Sequence, residues 1–224
     1  MNRISLIILS FTLLVLCLPA YGQEGPERFE AEVEQFTVSD RNNPPGDSIV
    51  LFTGSSSVRM YTDLAAHFPH HNVLNRGFGG SQFSDLMYYW DKLILPYDPI
   101  KIFIYEGDND IEAGESPEDI LAEAATLRQM LAQQLPGVPV VFISAKPSIA
   151  RWHLKEAYEE LNSGLQKLAQ RTDNTKYADV WNPMLDENGE VYQDIFVEDN
   201  LHMNEKGYAI WQQVLAPFMP RLSE

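Results

Sequence analysis

The feature that most constrains this chain is the alternation of short apolar segments with longer segments of helical periodicity. The apolar segments are rich in β-branched and aromatic residues, and three of them are almost continuously hydrophobic, which is typical of strands buried on both faces. Strand and helix in alternation predict a parallel sheet covered by helices on both faces. The predicted strands span residues 48–53, 72–74, 100–105, 139–144 and, more weakly, 176–180.

The clearest helical segment is 116–135, because several signals agree there. Ser116 is a good N-cap, Pro117 occupies the first helical position, and acidic residues follow in the first turn. Further helices are predicted from their apolar spacing at 26–38, 81–95, 154–170 and 205–215. Since no internal repeat or linker divides the chain, residues 23–224 are predicted to form a single α/β domain with about five parallel strands.

Residues 1–22 have the layout of a secretory signal peptide. Arg3 precedes an apolar run, and the small residues Ala20 and Gly22 stand at positions −3 and −1 before Gln23. The run is shorter than the roughly 20 residues that a membrane-spanning helix needs. Cys17 follows Leu16, where a lipoprotein signal requires a small residue, so lipid anchoring at Cys17 is not expected. We expect export to a periplasm or the cell exterior, with no stable membrane anchor after cleavage.

Charge and cysteine content exclude several classes of function. The chain has 16 Lys and Arg residues against 32 Asp and Glu, and the basic residues are scattered. Nucleic acid and anionic membranes are therefore not expected as partners. The single cysteine lies in the predicted signal peptide, so the mature chain has no internal disulfide, thiolate nucleophile or cysteine metal ligand.

Glycine-rich and polar segments follow the predicted strands at their carboxyl ends, where sheets of this kind carry their sites. They are residues 54–57 with three adjacent serines, residues 75–81 with three glycines, and residues 106–110 with an asparagine among acids. Each segment alone also fits an ordinary N-cap, close backbone approach or turn. The nucleophile motif Gly-x-Ser-x-Gly is absent, because Val58 occupies its last position.

Asp199 and His202 form a further pair of interest near the end of the chain. A carboxylate three residues before a histidine can accept a hydrogen bond from its Nδ1–H, although this spacing is also common in structural roles. With the serine turn, the glycine loop and Asn109, the pair completes the parts that acyl transfer needs: a nucleophile, an oriented base and oxyanion donors.

This combination of segments resembles the SGNH hydrolases, also called GDSL esterases and lipases. The matching stretches are residues 52–57, 75–80, 107–110 and 199–202, in family order across nearly all of the predicted mature chain. The resemblance implies a three-layer α/β/α sandwich of flavodoxin-like type and a serine ester hydrolase that needs no metal or organic cofactor. One departure is Ser55, which stands where the family often has Asp, so Ser55 is the alternative to Ser56 as nucleophile.

The resemblance also implies a role for each site residue. Ser56 is the expected nucleophile, His202 its general base and Asp199 the residue that holds the base. The backbone N–H groups of Ser56 and Gly80 and the side-chain amide of Asn109 are the expected oxyanion donors. The expected substrate is a small-molecule ester with a short-chain acyl, aryl, lysophospholipid or acetylated-sugar group.

Two other functions are alternatives to the serine hydrolase. A non-catalytic module of the same fold could bind a glycan or an anion through the glycine loop and Asn109. A metal-dependent hydrolase could use the histidines of 67–71, which we expect instead in an exposed loop. Glu106, Asp108 and Asp110 could also bind a divalent cation, although we predict no metal site.

Several further residues near the predicted loops have two possible roles. Lys146 and Arg151 follow the fourth strand and either bind an anionic group of the substrate or lie on the surface. The aromatic residues of the loops either line an acyl slot, stack on a sugar or belong to the core. These aromatic residues are Phe78, Phe83, Trp152 and Phe196.

Overall fold

The computed structural model describes residues 25–221, and the predicted signal peptide lies outside the described residues. At the centre of these residues is a five-stranded, all-parallel sheet with the strand order β2-β1-β3-β4-β5. This order is that of flavodoxin-like sheets, and it confirms the predicted parallel sheet. The strands are β1 (Ile49–Gly54), β2 (Asn72–Gly77), β3 (Lys101–Tyr105), β4 (Val140–Ile143) and β5 (Thr175–Ala178).

The helices confirm the predicted helical segments and add three short ones. Four or five residues are too few to show helical periodicity, so the short helices α2, α3 and α5 left no signal in the sequence. The α-helices of residues 25–221 are α1 (Glu30–Asn42), α2 (Ser56–Arg59), α3 (Leu64–His67), α4 (Phe83–Leu93), α5 (Asp108–Glu112), α6 (Pro117–Gln134), α7 (Lys155–Arg171) and α8 (Glu205–Leu215).

Strand β2 is longer than its apolar pattern predicted. It lies at the edge of the sheet and continues past Leu74 to Gly77, which pairs with Gly54 of β1. Its polar end is stable because Arg76 is buried against Asp40 of α1 and Tyr97, both of which accept hydrogen bonds from its guanidinium group. A buried ion pair therefore replaces the apolar residues that mark the interior strands.

The sheet separates two hydrophobic cores, because successive strand residues point to opposite faces. Ile49 and Leu51 pack with apolar residues of α1, α4, α6 and α7 on one face. Val50 and Phe52 pack with residues of α2, α3 and α8 on the other face, where Phe52 stacks on Phe103 with ring centroids 4.4 Å apart. The fold is thus the expected three-layer α/β/α sandwich.

Gly54 directs the chain from the sheet into the first loop at its carboxyl edge. Its φ of +122° is one that L side chains rarely adopt, and a Cβ there would lie 2.0 Å from the carbonyl oxygen of Tyr105. Close approach of the two strands lets the N–H of Ser55 donate to that same carbonyl at 3.0 Å. The next residue, Ser56, begins α2 directly above the end of the sheet.

A helix that crosses a membrane needs roughly 20 consecutive, mostly apolar residues. Among residues 25–221, no helix combines the length and apolar character that a membrane crossing requires.

Candidate active site

Ser56 is the serine that meets His202. Its Oγ lies 3.0 Å from the Nε2 of His202, across 146 positions of sequence. Ser55 and Ser57 are only 1% and 2% exposed, whereas Ser56 is partly accessible. Geometry thus separates the three adjacent serines, and it places the hydroxyl of Ser56, the predicted nucleophile, against the imidazole rather than that of the alternative, Ser55.

His202 is held on its other side by Asp199. The Nδ1 of His202 lies 2.6 Å from Asp199 Oδ2, and Asp199 Oδ1 accepts the backbone N–H groups of Leu201 and His202 at 2.9 Å each. Desolvation acts to raise the pKa of Asp199, but these hydrogen bonds outweigh it and lower that pKa to about 2. An ionised Asp199 only accepts hydrogen bonds, so Nδ1 carries the proton of neutral His202 and Nε2 accepts from Ser56.

A tight turn gives Asp199 and His202 this arrangement. Asn200, between them, adopts a left-handed conformation with φ of +57°, which asparagine tolerates better than most residues. The turn is closed by the N–H of Val197, which donates to the carbonyl of His202 at 2.9 Å. The N–H of Ala150 donates to the carbonyl of Asn200 at 3.1 Å, so the loop after β4 supports the turn.

The loop of residues 79–81 contacts Asn109, so that the predicted oxyanion donors Gly80 and Asn109 lie near each other. The side-chain Nδ2 of Asn109 donates to the carbonyl of Ser81 at 2.9 Å, next to the exposed Gly80. On the other side of the loop, the carboxylate of Glu32 in α1 accepts the N–H of Gly79 at 3.1 and 3.2 Å. The loop is therefore supported both by the predicted donor Asn109 and by the leading helix.

The same loop packs against α2, the helix that begins at Ser56. A Cβ on Gly77 would lie 2.3 Å from the backbone nitrogen of Arg59, and one on Gly79 would lie 2.6 Å from the Arg59 guanidinium. Close approach to α2 thus explains Gly77 and Gly79 and puts the glycine loop beside the serine turn, whereas Gly80 has open space around it and a φ of +74°.

A buried charge network behind Asn109 was missed by sequence reasoning. Asp108 pairs with Lys146 Nζ at 3.4 Å and with Arg151 Nη1 at 2.6 Å. It also accepts hydrogen bonds from the hydroxyl groups of Tyr105 and Tyr158. The expectation that Lys146 lies on the surface or binds the substrate is wrong, because its side chain is fully buried and committed to Asp108.

The opposite charges of the network favour the ionised form of both Asp108 and Lys146, against the effect of burial. Burial alone would raise the pKa of Asp108, but the charges of Lys146 and Arg151 lower it well below the ordinary range. Burial lowers the pKa of Lys146, and Asp108 opposes that shift. Asp108 is therefore a carboxylate at neutral pH, held by cations and hydroxyl donors.

A tyrosine of α8 forms another link that the sequence did not reveal. The hydroxyl of Tyr208 donates to the carbonyl of Ser57 at 3.0 Å. Since α8 follows His202 closely in the chain, this bond ties the serine turn to the histidine segment. A tyrosine on the apolar face of a helix has the pattern of a core residue, so no signal in the sequence predicted the contact.

Glu106, Asp108 and Asp110, the acidic residues that could have bound a cation, do not form a ligand trio among residues 25–221. Asp108 belongs to the charge network, and Glu106 is buried with one oxygen accepting from Ser81 Oγ at 2.7 Å. Among residues 25–221, the one trio of possible ligand groups that converges, within 4.8 Å, is Asp110, Glu115 and Glu123. Burial, with a smaller contribution from the charge of Glu115, raises the pKa of Asp110 to about 7.

The histidines of residues 67–71 do not converge on a metal site within the part of the chain described. His67 ends α3, is partly buried and lies with its Nδ1 2.8 Å from the hydroxyl of Tyr61. His71 Nε2 lies 2.9 Å from the carbonyl of Pro220. The expectation of an exposed loop holds for His70 and is wrong for the end of α3.

Three of the four loop aromatic residues belong to the core. Phe78 and Phe83 are fully buried on the α1 side of the sheet, and Phe196 is buried on the opposite side. Trp152 keeps partial exposure and stacks on Trp181, with ring centroids 5.8 Å apart. Lys155 Nζ lies 4.7 Å from the centroid of the Trp152 ring, so Trp152 is the least buried of the four but its ring also has partners in the protein.

Family comparison adds the class of chemistry to this geometry. A model of the family described as GDSL-like Lipase/Acylhydrolase matches residues 46–210. The protein is an ester-hydrolysing enzyme of α/β fold. It belongs to the GDSL-like lipase/acylhydrolase family, which confirms the family predicted from the sequence. No curated protein sequence matches the chain.

Solved structures agree on the fold. A putative platelet activating factor from Streptococcus pneumonia is 22% identical with a TM-score of 0.76, covering 86% of this chain and 92% of that one. A putative acylhydrolase from Bacteroides fragilis is 16% identical with a TM-score of 0.70, covering 83% and 95%. A catalytic mutant of an acetylxylan esterase from Geobacillus stearothermophilus is 15% identical with a TM-score of 0.63, covering 77% and 94%.

Proposed function

We propose that this protein is an exported serine esterase that cleaves small acyl esters through an acyl-serine intermediate at Ser56. The observation that supports this proposal best is the pair of hydrogen bonds that joins Ser56 Oγ to His202 Nε2 at 3.0 Å and His202 Nδ1 to Asp199 at 2.6 Å. A nucleophile, a base and a residue that orients the base are thereby in reach of one another.

The proposed cycle uses these residues in turn. His202 Nε2 takes the proton of Ser56 Oγ as the oxygen attacks the ester carbonyl carbon. The N–H groups of Ser56 and Gly80 and the amide of Asn109 stabilise the oxyanion. The imidazolium, stabilised by Asp199, then gives its proton to the departing alcohol. Water attacks the acyl-serine with His202 again as base, which releases the acid and restores Ser56.

The proposed acyl group is short. The buried rings of Phe78, Phe83 and Phe196 are part of the cores, and the residues around the oxyanion loop are glycine, serine and glutamine. The formal charge of −16 disfavours work at an anionic lipid surface. The structural likeness to an acetylxylan esterase makes acetylated sugars a candidate within this class.

A series of p-nitrophenyl esters tests the proposal. For residues 23–224, we expect kcat/KM to be highest for acetate or butyrate and not to rise at octanoate, because methylenes without an apolar slot gain none of the ~0.8 kcal/mol that the burial of each would supply. The rate should not change with a chelator. Activity that rises with chain length would contradict the short acyl group, and no hydrolysis of any ester would contradict the serine esterase.

Export is proposed from the composition of residues 1–22. When the full chain is expressed in a bacterium with a general secretory pathway, we expect a periplasmic or secreted product whose N-terminus is Gln23. Intact-mass measurement identifies the cleavage site, and a Gly22→Arg variant is the matched control, since it removes the small residue at position −1. A full-length product retained in the cytoplasm would exclude the signal peptide, and a lipidated Cys17 would show a lipoprotein instead.

No observation favours the alternative of a module that only binds a glycan or an anion. Such a module has no use for a serine hydroxyl hydrogen-bonded to an imidazole that a carboxylate orients. The metal-dependent alternative lacks converging histidines within residues 25–221.

A further inference from the structure

We propose that Arg151 is a positioning residue that fixes the side-chain amide of Asn109 as an oxyanion donor. The proposal rests on the function proposed above, because it assigns a task to a residue behind the same site. It also replaces the sequence-based expectation that Arg151 binds an anionic group of the substrate or lies on the surface.

The contact between the two side chains is a fork. Arg151 donates from Nη1 and from Nη2 to the same oxygen, Asn109 Oδ1, at 3.2 Å each. The guanidinium is itself anchored, because Nη1 donates to Asp108 Oδ1 at 2.6 Å and to the carbonyl of Asp108 at 3.1 Å. Its Nε lies 3.4 Å from the carboxylate of Glu112.

These partners determine which way the amide of Asn109 points. Arginine carries only donors, so the atom that faces Arg151 must be the amide oxygen. A carbonyl only accepts, so the atom that lies 2.9 Å from the oxygen of Ser81 must be the amide nitrogen. One N–H of Nδ2 is thus used on Ser81, and the second has no acceptor among residues 25–221. A rotation of the amide by half a turn would break both contacts and turn an oxygen toward the oxyanion.

Arg151 is well placed to hold this orientation through a catalytic cycle. Its side chain is 13% exposed, and Asp108, which anchors it, is in turn fixed by Lys146 and two tyrosine hydroxyls. The charge of Asp108 raises the pKa of Arg151 against the lowering effect of burial, so the guanidinium stays charged. Because Nη1 and Nη2 already donate to Asp108 and Asn109, Arg151 acts through Asn109.

The test separates positioning from a general structural role. Arg151→Lys keeps the positive charge beside Asp108 but loses the planar fork that reaches Asn109. We expect kcat for p-nitrophenyl acetate to fall roughly tenfold or more, with KM within about twofold, since the loss of a whole oxyanion donor costs about 10²–10³ in kcat. Arg128→Lys is the matched control: Arg128 is also buried and donates to Thr175 Oγ1 and the carbonyl of Asp173. Thr175 begins β5, at the end of the sheet opposite the carboxyl edge that carries Ser56. Arg128→Lys should keep the parental kcat.

A double-mutant cycle gives the decisive comparison. In the Asn109→Ala background, adding Arg151→Lys should change kcat by less than about twofold, because the residue through which it acts is gone. An equal fall in kcat in both backgrounds would overturn the proposal, and so would a parental kcat for Arg151→Lys alone.

A second measurement does not depend on catalysis. The side-chain amide signals of Asn109 in ¹⁵N NMR spectra, assigned by their loss in Asn109→Ala, should shift or broaden in Arg151→Lys and stay unchanged in Arg128→Lys. Unchanged signals in Arg151→Lys would overturn the proposal that Arg151 fixes the side-chain amide of Asn109. If the parent hydrolyses no ester while the signals shift as expected, the proposed function fails and the contact between Arg151 and Asn109 stands.

Discussion

Replacement of Ser56 by alanine is expected to lower kcat for p-nitrophenyl acetate by a factor on the order of 10⁴–10⁶. The hydroxyl supplies the bond-forming oxygen, so its loss removes the covalent route and leaves whatever the oxyanion donors and binding contribute. Ser56 is partly accessible and its Oγ is bonded to His202 alone among the described residues, so the fold should be retained. Steady-state kinetics with circular dichroism of the same samples measures both effects.

Ser57→Ala provides the matched control for this experiment. Ser57 adjoins Ser56, but it is 2% exposed and it is the carbonyl of Ser57, not its hydroxyl, that accepts from Tyr208. Removal of the Ser57 hydroxyl should leave kcat near the parental value. A fluorophosphonate should label the parent on the peptide that contains Ser56 and leave Ser56→Ala unlabelled. If Ser56→Ala keeps its activity while Ser55→Ala loses it, the assignment of the nucleophile is off by one residue.

The fold could be predicted from the sequence because the patterns that indicate its strands and helices are local. Near-continuous apolar segments mark the interior strands, and capping and spacing mark helices such as Pro117–Gln134 and Glu205–Leu215. The apolar pattern failed to predict strand residues where a polar side chain is buried in the folded protein. The end of β2 reads as polar because Arg76 is buried as an ion pair with Asp40 rather than as an apolar side chain.

The approximate location of the candidate site could also be predicted from the sequence. Parallel strands bring their carboxyl ends to one edge, so segments that follow different strands can be predicted to meet. The residues alone do not choose among the three serines, since one residue of register changes which hydroxyl faces the loop, and the family resemblance favours Ser56 with Ser55 as the alternative. In the structure it is the Oγ of Ser56 that lies 3.0 Å from His202 Nε2.

Partners that are remote in sequence could not be predicted. Lys146 and Asp108 are 38 positions apart, and each follows a strand in a segment that also fits an ordinary loop. Their pairing depends on the neighbouring positions of β3 and β4 in the sheet. A lysine is rarely buried without a partner, so the residues alone favour a surface position for Lys146. The charge network is therefore information that only the folded structure supplies.

The buried charge network around Asp108 leads to the second prediction, which concerns the stability of the protein. Asp108→Asn is expected to lower the free energy of unfolding at pH 7 by about 3–5 kcal/mol, because removal of one partner leaves a buried charge without compensation. Asparagine has nearly the volume of aspartate, so the loss reports charge rather than packing. The fully buried Lys146 and the mostly buried Arg151 would share a site without their carboxylate. Urea unfolding followed by tryptophan fluorescence measures the difference.

Two further results distinguish this explanation from a general loss of packing. Asp108→Asn with Lys146→Met should recover part of the lost stability, because the double variant no longer buries the Lys146 charge. The folded state lowers the pKa of Asp108, so the stabilisation by its charge is present above its unfolded pKa of about 3.9 and is lost as the pH falls through the folded pKa. The stability gap between the parent and Asp108→Asn should therefore narrow below about pH 4. A gap that is independent of pH, or a double variant less stable than Asp108→Asn alone, would show that packing rather than charge holds this part of the site together.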